Sequence, residues 1–333
     1  MRQRRLQAGL IAALVALGVI AYFVSRGGGS NGSGTQPAAP PPRAAVQPVR
    51  LGATVVGHLS VPEQNAAVAQ AGPASAMIVG GLAVGNISRP DIIVLHGARE
   101  AHHTQLPLGV HDAAAVRLGR AVYLFGGLGP NGTSGDIVRL SLSGRPPLKV
   151  GQLPRGVSSA AAATVGSSAF LVGGYNGKKA SDEILAWRPG HHVRVVGRLP
   201  HPLRYPAVAA LGRNIYIAGG TTPAGASHDV LAFDTVTRKL TLAARLPRPT
   251  TNAAAAAFGC CVYVIGGTQE QMGVPTRRIF AIQPGRRHVR SAGRLPQPVS
   301  DLGAVAQRRR ILAIGGRTTA GPVPTIVELR ARR

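Results

Sequence analysis

The chain reads as an all-β fold: a six-bladed β-propeller preceded by one N-terminal transmembrane helix. Three observations in a single register predict the propeller. Gly-Gly doublets at Gly80-Gly81, Gly126-Gly127, Gly173-Gly174, Gly219-Gly220, Gly266-Gly267 and Gly315-Gly316 recur at intervals of 46, 47, 46, 47 and 49 residues. Nineteen residues before the first Gly lies the proline of a Leu-Pro pair, namely Pro107, Pro154, Pro200, Pro247 and Pro296, with Val61-Pro62 standing in at eighteen. Thirteen residues after the second Gly comes an apolar residue: Val94, Leu140, Trp187, Phe233, Phe280 or Leu329. A period this constant means one supersecondary unit copied six times.

The third copy shows what one unit encodes. Ser159 to Val165 is a small apolar strand and Gly166-Ser167 a turn. Ala169 to Val172 is a second strand running into the doublet, and Tyr175 to Ser181 is a polar loop. Glu183 to Trp187 forms a third strand, Pro189-Gly190 a turn, and Val193 to Leu199 a fourth strand. Four short strands joined by Gly and Pro turns make an antiparallel meander. One such sheet cannot bury both faces; six arranged radially can. The first strands are alanine-rich, as in Ala160 to Ala163, Ala207 to Ala210 and Ala253 to Ala257. An alanine run favours helix, but runs this short, bounded by Pro and Gly, cannot sustain one. Small side chains suit the crowded strands nearest the axis.

The register also predicts ring closure. The last copy ends with a third strand at Thr325 to Leu329 and has no fourth. Thr54 to Leu59, ahead of the first copy, matches fourth strands such as Val196-Gly197-Arg198-Leu199. The N-terminal strand is therefore expected to complete blade six and remove a free edge.

These residues resemble the kelch-repeat family over roughly residues 54–330. The Gly-Gly doublet occurs in all six copies, and an aromatic follows in three of them as Trp187, Phe233 and Phe280. The family's fourth-strand Trp is missing, since the chain has one Trp. The resemblance implies a propeller whose loops bind partners. It also admits a minority of enzymes, including sugar isomerases and radical copper oxidases, and nothing here matches the copper-ligand pattern. Fold alone does not settle function.

Four segments are expected: a basic cytoplasmic stub at 1–5, a transmembrane signal-anchor at 6–25, a Gly/Ser/Pro-rich linker at 26–47 and the propeller at 48–333. Arg2, Arg4 and Arg5 precede twenty uncharged, mostly apolar residues, enough to span a bilayer. The basic cluster should stay cytoplasmic, which places the propeller outside the cell membrane as a single-pass protein. A secreted protein with a cleaved signal is the alternative, though Phe23-Val24-Ser25 is a poor cleavage site.

The formal charge is +26, from 38 basic and 12 acidic residues. Such a charge attracts anionic lipid, wall polymer or polyanionic glycan. Nucleic acid is not expected, because the few aromatics are not interleaved with the basic residues. Gly127-Leu128-Gly129-Pro130-Asn131-Gly132 fits a dinucleotide loop, but a strand-like segment follows where a helix is required. Cys260-Cys261 sit at a hairpin turn and lack further ligands for a metal. His102-His103, His191-His192 and His288 fall at outer turns of blades one, three and five, too far apart for one ion. No metal, cofactor or catalytic residue is expected.

The informative polar residues lie four and five positions after each marker proline: His111/Asp112, Ser158/Ser159, Arg204/Tyr205, Thr251/Asn252 and Ser300/Asp301, with Gln64/Asn65 in the shorter first copy. Each pair precedes the alanine strand, so the pairs should ring one mouth of the channel. The resemblance to peptide-binding kelch domains implies that this loop and the loop after Gly-Gly form the binding face. The second loops offer Tyr175, Asn176, Thr221, Thr222, Gln269 and Arg317. Arg204, Arg155, Arg248 and Arg317 favour a carboxylate-bearing ligand.

The reading that follows is a membrane-anchored, extracytoplasmic module that binds a protein, peptide or glycan without catalysis. Two alternatives stand beside it. One is a carbohydrate-active enzyme of sugar-isomerase type using His111, Asp112 and Asp301. The other is a structural envelope protein held in place by its charge.

Overall fold

A computed structural model describes residues 48–269 and 273–332. The stub, anchor and linker expected at 1–47 lie outside these residues. Among the described residues no helix is long and apolar enough to cross a membrane.

Six four-stranded antiparallel sheets form the propeller. Blade three comprises Ala161–Val165, Ser168–Val172, Glu183–Trp187 and Arg194–Arg198, in that order from the inside. Its first strand begins at Ala161, two residues later than the expected start at Ser159, because Ser159 has a left-handed φ of 55° that breaks the extended chain. The innermost strands are Ala67–Gln70, Ala114–Leu118, Ala161–Val165, Ala207–Leu211, Ala254–Phe258 and Gly303–Gln307. Each packs against the next, and the last packs against the first, so the ring is closed.

Closure is by the N-terminal strand. Leu51–His58 pairs antiparallel with Thr325–Ala331, from Leu51 opposite Ala331 to His58 opposite Thr325. Blade six thus takes three strands from one end of the chain and its outermost strand from the other. All six pairs of third and fourth strands carry a register shift, a β-bulge that adds twist at the rim.

The Gly-Gly doublets clasp neighbouring blades. The second glycine donates its amide to the incoming loop of the next blade: Gly127 to the Val157 carbonyl and Gly174 to Leu203, both at 2.8 Å. The first glycine faces the same carbonyl so closely that a Cβ on Gly173 would lie 2.3 Å from the Leu203 oxygen. Its φ of 67° adds a second reason for glycine.

From blade two onward the apolar third-strand marker fills the seam with the preceding blade, whereas Val94 of blade one packs toward blade two. Trp187 packs edge-on against Tyr123 and Phe125 of blade two, with ring centroids at 5.1 and 5.5 Å. Phe233, Phe280 and Leu329 occupy the corresponding seams of blades four, five and six. Each such buried side chain contributes roughly 2–3 kcal/mol. Gly197 on the outer strand of blade three leaves room for Phe233, where a Cβ would meet the ring at 2.7 Å.

The loop after the doublet is more ordered than a plain polar loop. In blades two, four and six it forms a small hairpin, such as Thr221–Thr222 with Gly225–Ala226. The stretch after Gly127-Leu128-Gly129 continues into the strand Asp136–Leu140, as its sequence suggests.

Candidate channel-mouth site

The polar pairs split into two structurally different positions. The first member of each pairs with the residue just after its own blade's doublet. His111 bridges to Leu128, Ser158 to Tyr175, Arg204 to Thr221 and Ser300 to Arg317, while Thr251 pairs with Thr268. This pairing buries Ser158, Thr251 and Ser300. His111 is half-buried, and its Nδ1 lies 2.9 Å from Ser88 Oγ. Burial lowers its pKa, with Asp112 opposing the shift.

The second member of each pair turns toward the axis. Asn65, Asp112, Ser159, Tyr205, Asn252 and Asp301 all have φ between 51° and 57°. Asn and Asp tolerate this left-handed conformation, but Tyr205 is an outlier there. The backbones form a chain around the mouth. The Asp112 amide donates to Asn65, Ser159 to Asp112, Tyr205 to Ser159, Asn65 to Asp301 and Asp301 to Asn252, at 2.8–3.0 Å. All six residues line one cavity of about 180 Å³, whose wall is otherwise mostly alanine.

Two carboxylates organise the side chains. Asp112 accepts from Asn65 Nδ2, from the Tyr205 hydroxyl at 3.2 Å and from Ser159 Oγ at 3.4 Å. Tyr205, on blade four, therefore reaches across the mouth to blade two. Asp301 accepts from Asn252 Nδ2 and from Ser300 Oγ at 2.7 Å. Burial raises the pKa of Asp301, against the lowering effect of these two hydrogen bonds. Burial, then the nearby Asp112 charge, raises that of Tyr205. Asp112 and Asp301 share the cavity; His111 is not among its lining residues.

Arg204 sits beside this ring. Its guanidinium carbon lies 4.4 Å from the Tyr175 ring centroid and 5.0 Å from that of Tyr205. Nη2 donates to the Tyr205 hydroxyl at 3.1 Å, while the buried Nε has no partner among the described residues. No carboxylate forms an ion pair with Arg204 there. Arg155, by contrast, is committed to Glu183 at 2.6 Å. The stacking of Arg204 on Tyr175 joins the two loop sets. Sequence named both residues but had no signal for the contact, because they lie in different blades. Asn65 completes the ring as the first-copy member of the same register.

The other sequence candidates are dispersed. His103 lies in the outermost strand of blade one, with Nε2 2.7 Å from Asp91. Phe258 pairs with Cys261, so Gly259-Cys260 form the turn and Cys261 begins a strand. No disulfide joins the two cysteines, whose Sγ atoms lie 2.8 Å apart.

No family model matches the sequence, and no curated protein matches it. Among solved structures the chain is similar to one titled "Structure of YjhT", at 16% identity and a TM-score of 0.70. That match covers 83% of this chain and all of the other. At this identity the likeness shows a shared propeller fold.

Proposed function

We propose that this chain is a kelch-like binding module that takes a carboxylate-bearing peptide or glycan at the channel mouth. One observation carries the reading: Arg204 is stacked between Tyr175 and Tyr205 with no acidic partner among the described residues. A guanidinium packed over two rings loses little freedom on binding, and its unused N–H groups match a carboxylate. The strained φ of Tyr205, which the surrounding network holds in place, belongs with a preorganised site. The ring of Asn65, Asp112, Ser159, Asn252 and Asp301 supplies polar contacts around it.

The module is non-catalytic in this reading. Asp112 and Asp301 are engaged by their neighbours, and His111 faces Ser88. The apolar run at 6–25 supports a membrane-anchored, extracytoplasmic placement. The test is an array of carboxylated and neutral peptides and glycans, probed with wild-type protein and with Arg204→Ala. Selective capture of carboxylated probes that is lost in the variant supports the site. Capture indifferent to Arg204 overturns it.

A further inference from the structure

A second anion site lies on the rim, away from the axis. In blades three and four the residue before the marker leucine of the outermost strand is an arginine paired to its own blade's third strand. Arg198 contacts Asp182 at 2.8 Å and Glu183 at 3.5 Å, and Arg245 contacts Asp229 at 3.0 Å. Strand register places Glu183 opposite Arg198 and Asp229 opposite Arg245. In blade five the same register places Arg278 opposite Arg294. The acid has been replaced by a base, and Arg294 has lost its counter-ion.

Two more arginines line the same cleft as Arg294, where the first and last described strands pair. Arg50 precedes the closing strand, and its carbonyl accepts from the Arg332 amide at 2.8 Å. Arg50, Arg294 and Arg332 line one open cleft of about 290 Å³, together with Leu51 and Ser291–Gly293. Gly293 keeps the cleft walls close, since a Cβ there would lie 2.6 Å from the Leu51 carbonyl. No carboxylate pairs with any of the three arginines among the described residues. Arg330, which does not line the cleft, is paired with Glu328, a carboxylate shared with Arg310.

We infer that this cleft at the seam of blades five and six binds a phosphate group. Three guanidiniums from three chain segments suit a tetrahedral, doubly charged oxyanion better than a planar carboxylate with one charge. A concave, single-sign site also focuses its field on such an ion. The cleft joins the first described strand, the last and blade five, so a bound phosphate ties the ring closure together. Binding to the folded state alone raises its stability.

The test uses the full chain, with ionic strength held constant by chloride. Inorganic phosphate is titrated by calorimetry and by thermal melting against wild type, Arg294→Gln and Arg50→Gln/Arg294→Gln. These arginines are exposed, so both variants should melt like wild type in chloride alone. The expected result is saturable phosphate binding with a raised Tm, weakened about tenfold or more in each variant. A second arm measures sedimentation with phosphatidylcholine vesicles, with and without phosphatidic acid, whose headgroup is a phosphomonoester. An increment due to phosphatidic acid that disappears in the double variant, without binding of free phosphate, assigns the site to a lipid headgroup. Binding of free phosphate assigns it to a soluble source. The inference is overturned if phosphate acts no differently from chloride and the vesicle increment is absent or survives in the double variant.

Discussion

The amide of Gly316 donates to the carbonyl of Glu63 at 2.8 Å, clasping the last blade to the first. The five other clasps use the carbonyls of Val110, Val157, Leu203, Thr250 and Val299. Only at this seam does the clasping residue carry an ionisable side chain. Glu63 is 1% exposed, and neither carboxyl oxygen has a hydrogen-bond partner among the described residues.

Glu63 makes stability depend on pH. Burial, reinforced by Asp91, raises its pKa from the ordinary 4.5 to about 8, with Arg89 opposing and Glu100 adding to the shift. The folded state therefore holds a proton that the unfolded state releases above pH 4.5. Stability from this group is greatest below 4.5, falls as pH rises toward 8 and levels off above it. Glu63→Gln should flatten that part of the profile, and Glu63→Val should raise Tm at pH 8. Melting curves from pH 5 to 9 check both.

Gly173→Ala should destabilise the propeller by at least ~2 kcal/mol. The left-handed φ disfavours any Cβ, and the new methyl would strike the Leu203 carbonyl. Gly166→Ala is the control. It shares a φ of 58° but has nothing within 4 Å of the added atom, so it should cost only about 1–2 kcal/mol. Urea denaturation of both variants separates strain from collision.

Deleting residues up to His58 should remove the outermost strand of blade six. The strand Thr325–Ala331 would then present an open, partly apolar edge. The expected outcome is association or loss of cooperative unfolding, read by size-exclusion chromatography and thermal melting. A truncated chain that stays monomeric with an unchanged Tm would show that the closing strand is dispensable.

The two thiols should react at different rates. Cys261 is buried, and burial, with Cys260 beside it, pushes its pKa up to about 12. Cys260 is only partly buried. Thiol labelling of native protein at pH 8 should modify Cys260 first, with Cys261 following only on unfolding. Comparison of Cys260→Ser with Cys261→Ser assigns the fast phase.

At the channel mouth, Arg204→Lys should fail to restore the binding that Arg204→Ala removes. An ammonium cannot pack over Tyr175 and Tyr205 while offering two parallel N–H groups. Tyr175→Ala should weaken binding with little effect on Tm, since the tyrosine is only partly buried and its hydroxyl bonds within its own loop. Affinity and melting temperature measured together distinguish a binding role from a structural one.

Blade number, strand order within a blade, alanine at the axis and closure by the N-terminal strand are all legible in the sequence. They rest on local patterns repeated six times, and each copy corrects the reading of the others. The pair positions were legible too, but not the division of labour within them. Both serines are buried, but Ser159 lines the axial cavity while Ser158 pairs with Tyr175, because φ is left-handed at Ser159 and its amide bonds to Asp112, 47 residues away. The stacking of Arg204 on Tyr175, the isolation of Glu63 and the missing partner of Arg294 were decided in the same way. A repeat dictates what each blade needs by itself. Which side chains meet, and which charges go unanswered, depends on residues that only the closed ring brings together.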